Sequence, residues 1–196
     1  MRQLIIPGKL KEEFATVEAL WNTTAETKRV DCLVLSWVKY EKQLRRLFSF
    51  FVFQHPNFTE EDVCDVVSTF AENNRLYPET FIEGITRLGV ASVSEIIGDS
   101  YEELWSEIDR IKSYRNKIMH GQLTGKDLQC SQLENDVIMI VRWMAALADA
   151  ADAAYGYDGV RRNTFVFSKK TQINIQNYPF SDVNGLRKWL RTLPRR

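Results

Sequence analysis

Apolar residues recur every three or four positions along most of this chain, a spacing that predicts a nearly all-helical protein. Leu10, Phe14, Val17 and Trp21 predict a helix over residues 9–26, behind a short apolar segment at 4–6 that Pro7 and Gly8 stop. The strongest signal covers 28–54. There Val30, Leu33, Val34, Trp37, Val38, Glu41, Leu44, Phe48 and Phe51 keep one face, while Lys39, Lys42, Arg45 and Arg46 mark the wet one. Its last turns, 47–53, are apolar nearly all round, which suits the centre of a bundle or a subunit contact and reads as core before cofactor site. Pro56 disfavours helical geometry at His55, so His55 is expected to be a loop or capping residue.

Thr59 and Asp62 open a further helix with Val63, Val66, Val67 and Phe70 facing inward, ended by Asn73 and Asn74. Pro78 suits the first position of a shorter helix through Leu88, stopped by Gly89. Ser92 with Glu95 forms a capping-box pattern for a brief helix ended by Gly98, and Ser100 with Glu103 repeats the pattern at the head of a helix over 101–120, closed by Gly121. After a turn at 121–125, residues 128–154 read as a long helix with Leu133, Val137, Ile140, Val141, Met144, Leu147 and Ala148 inside. Beyond 155–159 the period changes. Residues 164–167 and 171–175 alternate around Ser168, Lys169 and Lys170, which predicts a β-hairpin, and Asp182 caps a last helix carrying Leu186, Trp189 and Leu190. The expected fold is mainly α: an antiparallel helical bundle over 1–155, with a C-terminal extension over 156–196, hairpin plus helix, packed on it.

Composition changes little in this picture. A chain of 196 residues, 44% hydrophobic and 27% charged, can bury a sizeable core. Cys32, Cys64 and Cys130 are far apart and lack ligand spacing, so reduced thiols and a cytoplasmic location are expected, with no structural zinc and no other metal or cofactor. The apolar run at the N-terminus is short for a signal peptide, and residues 47–53 are far below a membrane span, so no membrane partner is expected. Charge is uneven although the total is zero. Residues 156–196 hold nine basic side chains against two acidic ones, a surplus of seven that the first 155 residues balance. Such a tail suits a polyanion contact or docking on its own acidic body.

Candidate chemistry gathers in Tyr114-Arg115-Asn116-Lys117-Ile118-Met119-His120-Gly121. At about 100° per residue, Leu104, Ile108, Ile111 and Ile118 share an apolar stripe roughly 80° wide, and Arg115 falls inside it. A guanidinium keeps its charge when buried, so Arg115 needs an anionic partner, an interface or a wet cleft. Lys112, Asn116 and His120 form an adjoining polar strip. The same residues also fit a plainer reading, in which the arginine extends its head to solvent and the histidine caps carbonyls at the helix end. Nucleophile elbows, Walker loops, dinucleotide-binding glycine patterns and H-E-x-x-H are all missing from the sequence, and acidic pairs such as Glu102-Glu103 sit in first turns of helices, where the helix dipole favours them.

Arg115 through His120 resembles the R-x4-6-H motif of HEPN domains (higher eukaryote and prokaryote nucleotide-binding), including the polar residue that often follows the arginine, here Asn116. The resemblance covers residues 9–155 and leaves the basic extension outside. It implies a metal-independent endoribonuclease of phage defence or a toxin, acting on RNA as a homodimer, with an antitoxin or other inhibitory protein among its partners. The alternative is a noncatalytic HEPN-like module that binds a nucleotide or a protein. Gln122 stands where one toxin subgroup carries a tyrosine, so regulation through that tyrosine is not expected, and no ligand-sensing domain accompanies the motif. In this scheme His120 moves protons, Arg115 grips the phosphate and Asn116 orients one of them, while Lys112 and Lys117 add charge. Two copies of the helix across a twofold axis supply the second histidine that acid and base together require. Arg187, Lys188 and Arg191 are expected to add phosphate contacts from the tail.

Overall fold

The computed structural model describes residues 2–72, 76–120, 128–171, 173, 175 and 177–194. Its elements are α1 (Lys11–Trp21), α2 (Lys28–Phe53), α3 (Val63–Ala71), α4 (Pro78–Arg87), α5 (Val93–Ile97), α6 (Tyr101–Met119), α7 (Cys130–Tyr155), α8 (Thr164–Lys170) and α9 (Val183–Leu190). The protein is mainly helical, and the described residues contain no strand. No described helix is long and apolar enough to cross a membrane. The chain divides into two compact units: residues 1–42 with 97–148, and 43–96 with 149–196.

In the first unit, Leu10, Phe14, Val17 and Trp21 are buried, the stripe expected of them. Helix α1 stops at Trp21, short of 26, because Asn22 and Thr23 turn their side chains onto the Glu18 and Leu20 carbonyls (2.9 and 2.8 Å) and satisfy acceptors that another turn of helix would otherwise use. The first half of α2 buries Cys32, Leu33, Ser36, Trp37 and Tyr40, whereas Val38 is 45% exposed. Val38 lies about 140° from Leu33 around the helix, so the apolar run predicted for it extends past the covered face. A fully buried Trp143 on α7 is the hub of an aromatic cluster with Tyr40, Tyr101 and Trp105 at centroid distances of 6.0, 5.7 and 5.8 Å. Helix α6 starts where expected, but Ser100 continues a 3-10 turn with helical backbone and makes no capping bond, so the predicted box with Glu103 does not form.

In the second unit, the all-apolar end of α2 is core: Leu47, Phe48, Phe50, Phe51, Val52 and Phe53 are all buried. Phe48 packs on Phe70, Phe81 and Trp189 at 5.6, 5.7 and 6.0 Å, tying α3, α4 and α9 to one ring. Gly84 on α4 is the reason that ring fits, since a Cβ there would stand 2.6 Å from Phe48 Cε2. Gly84→Ala is therefore expected to destabilise the protein by about 2 kcal/mol: overpacking against a wedged ring costs up to ~3, and the gain in helix propensity returns ~1. A urea midpoint equal to wild type would contradict this.

Several punctuation marks are where the sequence puts them. Pro78 opens α4, Gly89 and Gly98 follow α4 and α5 with positive φ, Ser92 and Glu95 exchange their reciprocal bonds, and Asp182 accepts from the Gly185 amide at 2.7 Å. The predicted hairpin is overturned. Residues 164–170 form α8, and Thr171, Ile173 and Ile175 are not in a strand. The alternating Phe165-Val166-Phe167 carries strand propensity, but a helix lets Phe165 meet Phe53 at 5.4 Å while Phe167 meets Tyr157 at 5.6 Å, and this packing overrides the local preference. The Ser168 carbonyl is taken by Gln54 Nε2 at 2.7 Å, fixing α8 to the end of α2.

Candidate functional site

The motif occupies the last turns of α6. Arg115 is buried, and of the three environments its position allows the structure supplies an anionic partner: Glu41 of α2, whose Oε1 accepts from Arg115 Nη2 at 2.9 Å. The same oxygen accepts from Trp37 Nε1 at 2.7 Å, and the Arg115 guanidinium lies 4.6 Å from the centre of the Trp37 ring. Nη1 also points at Met119 Sδ, 3.4 Å away. Charge pairing, an aromatic face and burial thus hold the guanidinium in one orientation.

His120 is different in kind. It is the C-cap of α6, its amide bonded to the Asn116 and Ile118 carbonyls, and the residue is exposed. Asn116 and Lys112 on the adjoining strip are half-buried, and Lys117 is exposed. Gly121, Gln122 and the expected turn lie outside the described residues. Arg115 therefore turns onto α2 while His120 is left at the surface at the end of the same helix.

A second polar cluster borders the motif on the other side of α6. Tyr114, buried like its neighbour, donates its hydroxyl to Asp136 of α7, and Arg110 bridges the pair, with Nη2 at 2.6 Å from Asp136 Oδ1 and Nη1 at 2.9 Å from the Tyr114 oxygen. Glu107 and Gln132 complete it at 2.6 and 2.8 Å. Asp136 is fully buried. Burial and the Asp136 charge push the Tyr114 phenol well above its ordinary range, so it stays a neutral donor.

Neither Glu41 as the partner of Arg115 nor Asp136 follows from the motif itself. The signal was present: Glu41 falls in the predicted apolar stripe of residues 28–54, and Asp136 stands between Leu133 and Val137 in that of α7. An acid in an apolar stripe on one helix and an arginine in another are complementary misfits, but which pairs with which is a tertiary fact.

The tail residues belong to the second unit. Arg187 is half-buried, its Nε donating to Thr69 Oγ1 at 3.1 Å, while Lys188 and Arg191 are exposed. His55 is a buried loop residue just beyond the end of α2. Its Nδ1 accepts from the Asn57 amide (3.1 Å), which puts the proton on Nε2, donating to the Phe180 carbonyl at 3.0 Å. Burial holds His55 below the 6.5 of a free imidazole; the Phe180 carbonyl and Asp182 oppose that, and Lys169 reinforces it. The unfolded chain therefore takes up this proton more readily than the folded one. The stability from neutral His55 is complete above about pH 6.5 and is lost as pH falls below it. Wild type is expected to lose more stability between pH 7.5 and 5.5 than His55→Gln, read from urea midpoints; parallel losses would contradict it.

Comparison of the chain with protein-family models, with curated proteins and with solved structures gives no match.

Proposed function

We propose that this chain is a metal-independent endoribonuclease of the HEPN type, working as a homodimer in phage defence or as a toxin. The observation that carries the reading is the division of labour at the end of α6: Arg115 fixed in direction by Glu41 and Trp37, and His120 exposed one turn further on. A guanidinium that need not be reorganised suits charge stabilisation, and an exposed imidazole is open to a substrate and can exchange protons with it.

The reaction is attack of a ribose 2′-hydroxyl on the adjacent phosphorus. The O2′–P bond forms, the P–O5′ bond breaks, a base takes the 2′ proton and an acid protonates the 5′ oxygen, leaving a 2′,3′-cyclic phosphate and a 5′-hydroxyl. His120 of one copy and His120 of a second copy across a twofold axis take the two proton roles. Arg115 grips the non-bridging oxygens in competition with Glu41, Asn116 orients the imidazole or a phosphate oxygen, and Lys112 and Lys117 raise the local positive potential. Lys188 and Arg191, with Arg187, add phosphate contacts along the strand.

A second reading is favoured by the Arg115–Glu41 pair itself, because an arginine already neutralised by its own chain serves a scaffold as well as a site. In that reading the domain binds a nucleotide or a protein and cleaves nothing. RNA incubated with the protein in EDTA separates the two: cleavage ending in a cyclic phosphate supports the nuclease, and intact RNA with a folded protein supports the binding module.

A further inference from the structure

The second unit contains a groove of about 610 Å³ between the C-terminal half of α2, α3 and the start of α8. Buried Phe53 and Phe70 line it, together with Val63, Val67, Phe165 and Val166. Val67 and Val166 are 53% and 47% exposed, on two different helices that meet at one cavity. Helix α3 shows why this is more than a stray surface valine. Its sequence puts Val63, Val66, Val67 and Phe70 on a single apolar face, yet only Val66 and Phe70 are buried by the protein itself. The uncovered part of that face lines the groove, and the helix that replaces the expected hairpin supplies the opposing apolar wall. A concave apolar surface of this volume is the size of a small-molecule site, too small for a helix of a partner protein.

The polar lining narrows the guest. Arg45 and Arg46 line the groove with Glu60 as the acid beside them. Arg46 is anchored through Nη1 to the Val160 carbonyl at 2.5 Å, whereas Arg45 is exposed. Arg45 is thus the exposed cation at the rim of the apolar lining. One exposed guanidinium at the edge of an apolar groove matches a guest with one anionic head on an apolar body, and Glu60 beside it disfavours a second negative charge. We propose that this groove binds a small amphipathic monocarboxylate, its apolar chain lying on Phe53, Phe70, Val67 and Val166 and its carboxylate on Arg45.

Cys64 provides the readout, because it is exposed and lines the groove, while Cys130, exposed in the other unit, serves as an internal control. The full chain is treated with a maleimide in the presence of decanoate or decanol, and modification of each cysteine is followed by peptide mass spectrometry. Decanoate below its micelle concentration is expected to slow Cys64 modification at least fivefold and leave Cys130 unchanged. Arg45→Gln is expected to raise the decanoate concentration needed at least tenfold and to leave any effect of decanol unaltered. Unprotected Cys64 up to the solubility limit, equal slowing of Cys130, or the same decanoate dependence in wild type and Arg45→Gln would each overturn the proposal.

Discussion

Replacing Asp136 with alanine is expected to cost about 3 kcal/mol of folding stability, the scale for removing one partner of a buried, hydrogen-bonded charge pair. Asp136 is fully buried and accepts from three side chains, Tyr114, Arg110 and Gln132. Its loss leaves the Tyr114 hydroxyl without its acceptor in the interior. Arg110 loses less, because its side chain is 32% exposed and keeps Glu107, and that discount holds the figure near the lower end for buried pairs. For a protein of this size the change corresponds to a fall of roughly 6–12 °C in Tm. Asp136→Asn keeps an acceptor for Tyr114 and is expected to lose about half as much. Urea unfolding of the three proteins checks both figures, and a loss below about 1 kcal/mol in the alanine variant would show that the cluster contributes little. The cluster matters beyond stability because Tyr114 directly precedes Arg115, so α7 holds one side of the α6 end through Asp136 while α2 holds the other through Glu41.

Much of the fold was legible in the sequence because its helices carry their own signals. The period of α2, the proline that opens α4, the glycines after α4 and α5 and the aspartate that caps α9 are local, and local rules decide them. The failures at 164–167 and at the exposed valines share one cause. Residues 164–167 have strand propensity, yet Phe165 and Phe167 find their partners, Phe53 and Tyr157, only from a helix, and those contacts lie more than a hundred and about ten positions away respectively. Val38 and Val67 continue an apolar period past the surface their units cover, so a correct helical phase still gives a wrong burial. At the site, the inconsistency of Arg115 was readable as a demand for an anionic partner, an interface or a wet cleft, and Glu41 was visible as a charge in an apolar stripe. The bond between them was not, since nothing in a sequence states which stripes face each other.

The largest effect on activity is expected from the motif itself. His120→Ala should lower the rate of RNA cleavage by about 10²–10⁴, the usual contribution of a positioned acid or base, and Arg115→Ala by about 10²–10³, the usual contribution of a fixed charge-stabilising donor. The two differ in their side effects. His120 is exposed, so its alanine variant should melt like wild type, whereas Arg115→Ala also removes the partner of Glu41 and should lower Tm by a few degrees. Arg115→Lys separates charge from shape: a lysine keeps the positive charge but not the planar fork, and activity well below wild type is expected from it.

The central claim is tested most directly by one cleavage assay in EDTA, with wild type, Arg115→Ala and His120→Ala side by side, each shown to be folded and its product ends identified. The account predicts that wild type alone cleaves RNA at a measurable rate and leaves a 2′,3′-cyclic phosphate and a 5′-hydroxyl. Equal cleavage by all three proteins, or none by a folded wild type, would contradict it.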